Sequence, residues 1–184
     1  MNQEPTILVV FGATGDLVRR KIVPALWHLF IEGKFPPVFS IVAFSRRDLT
    51  DADFRAYVRE MLTAYQPKRN PKKEEQFLAM FRYVRGFFDN EGAYADLGTA
   101  LTAVEKQWNI GANKLLYLAV TPDHYETVLT NIARSGLAGK NARDRGRTPL
   151  EVGRPGRPPS RERDGLLTGW RLRKLSAFLI TCEL

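Results

Sequence analysis

Apolar and polar positions along this chain fall into blocks that alternate between two periods. Thr6 to Phe11 (TILVVF) is β-branched and apolar without alternation, the pattern of a strand buried on both faces of a parallel sheet. A glycine-bearing turn follows. Leu17, Ile22, Ala25, Leu26, Leu29 and Phe30 then recur at helical spacing until Gly33, which suits the position just past a helix end. Pro24 lies inside that span and lacks an N–H, so the helix is expected to be irregular there. Pro36-Pro37 mark a turn, and Val38 to Phe44 (VFSIVAF) predicts the second strand.

The next helix is expected to begin at Thr50 or Asp51, either of which can cap it, and to run to about Tyr65. A Lys-rich polar stretch from Gln66 to Glu75, whose charged run Lys68 to Glu75 reads as a solvated linker, leads to a short helix around Gln76 to Phe81. Tyr83 to Phe88 predicts a third strand, Tyr94 to Trp108 a helix, Lys114 to Val120 a strand, and Pro122 to Ser135 a helix ended by Gly136. Strands alternating with helices imply a doubly wound, mostly parallel α/β sheet with flanking helices. After Gly139 the pattern dissolves. Asn141 to Asp164 combines prolines, glycines and arginines with no hydrophobic period, as irregular or disordered chain does. The expected division is therefore a domain over 1–139 and an irregular C-terminal tail over 140–184.

Composition narrows the setting. The 184 residues are 44% hydrophobic, within the globular range. One cysteine, Cys182, rules out an intramolecular disulfide framework and a multi-cysteine zinc site, and it suits a reducing compartment. The N-terminus lacks the basic region of a signal peptide, and no run approaches the roughly 18 apolar residues of a membrane span. A cytoplasmic protein with no membrane partner is expected. The net charge of +8 raises the question of nucleic acid. Up to Gly139, 17 Lys and Arg face 15 Asp and Glu, a balance of +2; from Lys140 onward, 11 face 5, a balance of +6. The basic character belongs to the tail, and no nucleic-acid partner is expected.

The candidate chemistry sits in the first turn, Gly12-Ala13-Thr14-Gly15-Asp16-Leu17. Gly12 and Gly15 have no Cβ, so the backbone there can turn sharply and approach a pyrophosphate closely. The N–H groups opening the next helix, near Asp16 to Arg19, favour an anion together with the helix dipole. Thr14 can add a hydroxyl donor, and Asp16 suits an N-terminal cap. The G-x-x-G spacing lacks the glycine that the common G-x-G-x-x-G pattern would place at Val10, and a tight turn without a ligand has the same spacing. The second strand adds to the reading, because it runs into Ser45-Arg46-Arg47 before Asp48. An acidic residue near that strand end holds the ribose 2′-hydroxyl of NAD, whereas an arginine suits the 2′-phosphate of NADP. Loop and arginine together predict a Rossmann-like NADP-binding domain.

The run GATGDLVRRKIVPALWHLF resembles the N-terminal motif of the glucose-6-phosphate dehydrogenase family, a G-A-[ST]-G-D-L loop followed by R-K-x-x-P-[AT]-[LI]. VAFSRRDLT, YVRGFFDN and KLLYLAVTPDHYETVLTNIARSGL resemble three further family segments in order and spacing, so the likeness spans roughly Thr6 to Leu137. The resemblance implies NADP-dependent oxidation of glucose 6-phosphate to 6-phosphogluconolactone, the opening step of the pentose phosphate pathway, by a homo-oligomer. It implies cofactor contacts at Gly12, Ala13, Thr14, Gly15, Asp16, Leu17, Val18, Arg19, Arg46 and Tyr125, with Arg47 a weaker candidate for the 2′-phosphate. Pro24 belongs to the family pattern, while Thr121 stands where the family has the first proline of a P-P pair.

The likeness then breaks. Where the family has V-E-K-P-F-G-R-D, residues 147–154 read RTPLEVGR, and Val152 occupies the lysine position. The sugar-phosphate segment R-I-D-H-Y-L-G-K-E and the downstream catalytic histidine have no counterpart. An Arg/Gly/Pro-rich run in place of a family motif is what a shifted reading frame in GC-rich coding DNA produces. The expectation is a truncated cofactor module whose residues past about Gly139 are frameshifted. No catalytic residue is assigned: His28 and His124 match no catalytic position and read as surface or packing residues. No metal-ligand spacing occurs, and no Tyr-x-x-x-Lys pair supports a different compact reductase.

Overall fold

The computed structural model describes residues 4–137 and the strand Phe178–Cys182. In chain order the elements are β1 (Thr6–Phe11), a π-helical turn over Val18–Ile22 that continues into α1 (Val23–Ile31), β2 (Phe39–Ser45), α2 (Asp51–Tyr65), α3 (Pro71–Ala79), β3 (Phe81–Arg85), α4 (Glu91–Trp108) and β4 (Asn113–Leu118). A 3-10 turn at Pro122–His124, α5 (Tyr125–Ser135) and β5 (Phe178–Cys182) follow. The sheet order is β3-β2-β1-β4-β5, with the first four strands parallel and β5 antiparallel to β4. The expected α/β doubly wound sheet is thus present.

The uniform apolar run of β1 is explained by its place in the middle. Val9 pairs with Val42 on one side and with Leu116 on the other. Ile7, Val9 and Phe11 face a core with Phe44, Tyr94, Leu97 and Leu116, under α4 and α5. Leu8 and Val10 face the opposite core with Trp27, Ile41, Phe54 and Phe77, under α1, α2 and α3. A strand covered on both faces has no solvent side on which polar residues could alternate. Tyr94 is buried on the first face, and burial pushes its hydroxyl up to about 12, while that hydroxyl donates to the Phe88 carbonyl at 2.9 Å.

Pro24 produces the expected irregularity. It sits at the start of α1, and the turn before it widens so that the Val23 N–H reaches the Val18 carbonyl, five residues back. A π-turn at this point absorbs the donor that proline removes. The second strand begins one residue later than expected, the fourth one residue earlier, and the helix after β4 opens with a 3-10 turn.

The largest departure lies between α2 and β3. The third helix begins at Pro71, five residues before Gln76, because the Asn70 side chain accepts from the Lys72 and Lys73 N–H groups and Pro71 takes the first position. The strand after it starts at Phe81 instead of Tyr83. Within the stretch read as a solvated linker, Arg69 is nearly buried. It bonds Glu74 at 2.9 Å, Thr63 at 3.0 Å and the Gln66 carbonyl, tying the end of α2 to α3. Most of the 140–184 tail, including the residues set against V-E-K-P-F-G-R-D, lies outside the described residues. The β5 strand within it adds an edge to β4 that no hydrophobic period announced.

Helix α2 follows the loop that carries Arg46, and a capping box fixes its start. The Thr50 hydroxyl accepts from the Asp53 N–H at 3.2 Å, and the Asp53 carboxylate accepts from the Thr50 N–H at 2.9 Å and its hydroxyl at 2.6 Å. These bonds from Thr50 hold the Asp53 carboxyl below its ordinary value of 3.8. A depressed carboxylate contributes stability that is present above the unfolded value and lost as pH falls through the folded one. Thr50→Ala is therefore expected to lower the thermal midpoint at neutral pH, with a penalty that shrinks on acidification through that range. Thermal melts of both proteins across pH check this, and a penalty independent of pH would contradict it.

Candidate functional site

The candidate site is built at the carboxyl ends of β1, β2 and β4. The chain order reverses around β1, since β2 lies on one side of it and β4 on the other. In open α/β sheets, the crevice outside this switch point is where ligands bind. Gly12 turns the chain there with φ of +78°, a backbone conformation that side chains rarely permit. A Cβ on Gly12 would lie 2.5 Å from the Ala119 carbonyl oxygen and 3.0 Å from Val120. The loop after β1 and the segment after β4 therefore close on each other with no room for a methyl group. The Ala119 N–H donates to the Phe11 carbonyl at 2.9 Å and extends the pairing to that point.

Hydrogen bonds shape the rest of the loop. The Gly12 and Ala13 N–H groups both donate to the Phe44 carbonyl at 2.9 and 3.2 Å, fixing the turn to β2. The Gly15 N–H donates to the Gly12 carbonyl at 2.9 Å, and the Arg19 N–H to the Gly15 carbonyl at 3.2 Å. The N–H groups of Asp16, Leu17 and Val18 come before that first helical donor, so they are the donors a helix start offers to an anion. Ala13 and Val18 are buried in the core, and their side chains face away from any ligand. Arg19 is exposed. Asp16 does not cap the helix as expected. It pairs with Arg20 one turn on at 3.3 Å, with both side chains exposed.

The second strand joins this loop through hydroxyls. Thr14 Oγ1 and Ser45 Oγ lie 2.7 Å apart, so one donates to the other and the pair retains one proton for a further acceptor. Ser45 is buried, Arg46 and Arg47 are exposed, and the next carboxylate, Asp48, pairs with Arg85 at 3.2 Å. The Arg47 guanidinium sits over the Tyr57 ring, 5.5 Å from its centroid. The Tyr57 hydroxyl donates to the Thr14 carbonyl at 3.4 Å, and the Tyr83 hydroxyl contacts the carbonyls of Ser45 and Arg47. Sequence reading did not single out either tyrosine. Their only signal was an aromatic at a core-facing position, and many aromatics here are simple packing. Arg46 pairs with no carboxylate among the described residues and is the cation presented at the strand end.

Tyr125 opens α5 just after the Pro122–His124 turn, half-buried against the core under that helix. It lies on the β4 side of the switch point, across from Arg46. His28 Nε2 lies 2.6 Å from the Tyr65 hydroxyl, and the ring of His124, just before Tyr125, is 5.2 Å from Phe88. A hollow lined by Trp27, His28, Gln66 and Asn70 lies near the far end of α1, about 18 Å along the helix from the glycine turn at 1.5 Å per residue, and is separate from this site. Among the described residues no group of His, Cys, Asp and Glu could hold a metal, and no helix is long and apolar enough to cross a membrane.

Comparison with known proteins agrees with this geometry. The family model "Glucose-6-phosphate dehydrogenase, NAD binding domain" matches residues 9–148. Glucose-6-phosphate 1-dehydrogenase of Chlamydia pneumoniae is 36% identical over 138 residues, covering 74% of this chain and 27% of its own. Glucose-6-phosphate 1-dehydrogenase 2 of Mycobacterium tuberculosis is 36% identical over 137 residues, covering 73% and 26%. A solved glucose-6-phosphate dehydrogenase in complex with its substrate glucose-6-phosphate superposes with a TM-score of 0.66 at 29% identity, over 72% of this chain and 28% of that one. The chain thus spans about a quarter of the length of the relatives it matches.

The contact at Gly12 yields a direct expectation. Gly12→Ala should cost at least about 1–2 kcal/mol from the left-handed backbone alone, with further loss from the Ala119 clash. Urea unfolding measures this, and an unchanged midpoint would show that the two loops can part without penalty.

Proposed function

The chain belongs to the glucose-6-phosphate dehydrogenase family, and on that premise we propose that it supplies the cofactor-binding half of NADP-dependent oxidation of glucose 6-phosphate to 6-phosphogluconolactone. The family domain it matches is named for a nicotinamide dinucleotide. The residues fit such a group, because the turn held against Ala119 at Gly12 is followed by the Asp16, Leu17 and Val18 N–H groups that open the helix. Gly12, Ala13, Thr14, Gly15, Asp16, Leu17, Val18 and Arg19 would line the pyrophosphate, with the N–H groups of Asp16, Leu17 and Val18 as its backbone donors. Tyr125 contributes from the β4 side. When bound, the nicotinamide accepts the hydride from the sugar.

The observation that carries NADP over NAD is Arg46. It stands exposed at the end of β2, its neighbour Ser45 is bonded to Thr14 of the phosphate loop, and the nearest acid, Asp48, is engaged by Arg85. A guanidinium there offers a planar fork to the 2′-phosphate. Arg47, lying over Tyr57, is the lesser contributor.

A second reading concerns turnover. The family lysine position falls on Val152, and neither His28 nor His124 matches the family's catalytic position. This 184-residue chain by itself is therefore read as binding the cofactor without oxidising the sugar. Glucose 6-phosphate as partner, self-association and a cytoplasmic setting follow from the family for the full-length enzymes.

Two measurements test these readings. Arg46→Ala is expected to weaken NADP binding by about 1–3 kcal/mol, as for a lost hydrogen bond to a charged group, with NAD affected little. Fluorescence titration with each cofactor reads this, and equal losses would remove the 2′-phosphate role. Mixing the chain with NADP and glucose 6-phosphate should give binding with no growth in reduced-nicotinamide absorbance. Steady growth would show that the chain is a complete catalyst.

A further inference from the structure

The segment that presents Arg46 is held from below by a residue of the neighbouring strand. Tyr83 lies in the middle of β3, in register with Ala43 of β2. Its ring stacks on Phe54 at 5.0 Å with an interplanar angle of 26°. Its backbone N–H donates to the Asp51 carboxylate at 2.6 Å, anchoring the first turn of α2. Its hydroxyl oxygen is 3.0 Å from the Ser45 carbonyl and 2.7 Å from the Arg47 carbonyl, the two carbonyls that bracket Arg46.

The residues beside Arg46 are also committed. The Ser45 hydroxyl meets Thr14, the Arg47 guanidinium covers Tyr57, and Asp48 pairs with Arg85. Arg46 is left as an exposed guanidinium on a backbone fixed on both sides. Burial raises the Tyr83 hydroxyl above the ordinary phenol value, against the lowering influence of Ser45 and of the Arg47 and Arg85 charges. It therefore stays a donor throughout the neutral range.

We propose that Tyr83 is a positioning residue for cofactor selectivity: by gripping the carbonyls on both sides of Arg46, it pre-aims that guanidinium at the 2′-phosphate. The inference rests on the NADP reading given above. A cation on a loose strand end must be ordered when the ligand arrives, whereas one on a clamped backbone has already lost that freedom. The benefit falls on the ligand that carries the 2′-phosphate and leaves NAD, which lacks it, nearly untouched. A purely structural role would weaken both cofactors together.

The test compares dissociation constants for NADP and NAD in four proteins: the full chain, Tyr83→Phe, Tyr83→His and Arg46→Ala, with a thermal melt of each. Tyr83→Phe keeps the ring on Phe54 and removes only the hydroxyl. It is expected to weaken NADP about fivefold, the loss of one net hydrogen bond, with NAD within twofold. Tyr83→His keeps an N–H donor and should recover part of the discrimination, and it carries the comparison if the Phe variant folds poorly. Unchanged selectivity in both Tyr83 variants beside a collapse in Arg46→Ala would overturn the proposal and leave the NADP reading standing. Equal weakening of both cofactors in the Tyr83 variants would also overturn it. Unchanged selectivity in Arg46→Ala would instead remove the 2′-phosphate reading on which the proposal rests.

Discussion

The contact on which the rest of the site depends is the approach of Gly12 to the Ala119 carbonyl. A Cβ at 2.5 Å from that oxygen cannot be accommodated, so the position is open to glycine alone. Because Gly12 turns here at φ of +78°, the chain leaves β1 upward and starts the next helix directly above the sheet. The same contact brings the segment after β4 against the loop after β1 and closes the crevice floor at the switch point. Close packing of two backbones replaces the side chain that would otherwise fill this space.

From that floor, two sets of polar contacts extend in different directions. One is made by the main chain, where Gly12 and Ala13 donate to the Phe44 carbonyl and Gly15 to the Gly12 carbonyl, ahead of the N–H groups that open the helix. The other crosses to β2 through the Thr14 and Ser45 hydroxyls and is backed by Tyr57 and Tyr83. The two sets join the glycine turn and the end of β2 into one hydrogen-bonded surface. That surface rests on strands covered on both faces, so motion of the site would disturb two cores at once.

The family likeness covers about a quarter of the relatives' length. Within that stretch the turn is set by a glycine and by strand ends, and the chain is 36% identical to the Chlamydia pneumoniae relative over 138 residues.

Much of the architecture was legible from the pattern of residues. β1 was read to the residue, since an unbroken β-branched run has one physical meaning in an α/β chain. The glycine turn, the irregular helix at Pro24 and the arginine after β2 were legible because each depends on what one residue can do with its own backbone or charge. The start of α3 at Pro71 was missed although Asn70-Pro71 announces it, because the lysines around it suggested a linker. The burial of Arg69 could not be read at all, since it depends on Glu74 and Thr63 meeting it across a turn. The same holds for Tyr83. By itself the sequence determined where the chain turns, which runs are buried and which residues carry charge to the strand ends. Only the tertiary structure decided that Tyr83 spans the carbonyls around Arg46 and that Ser45 meets Thr14. Those contacts join residues 31 to 38 positions apart, and their distances are set by strand register.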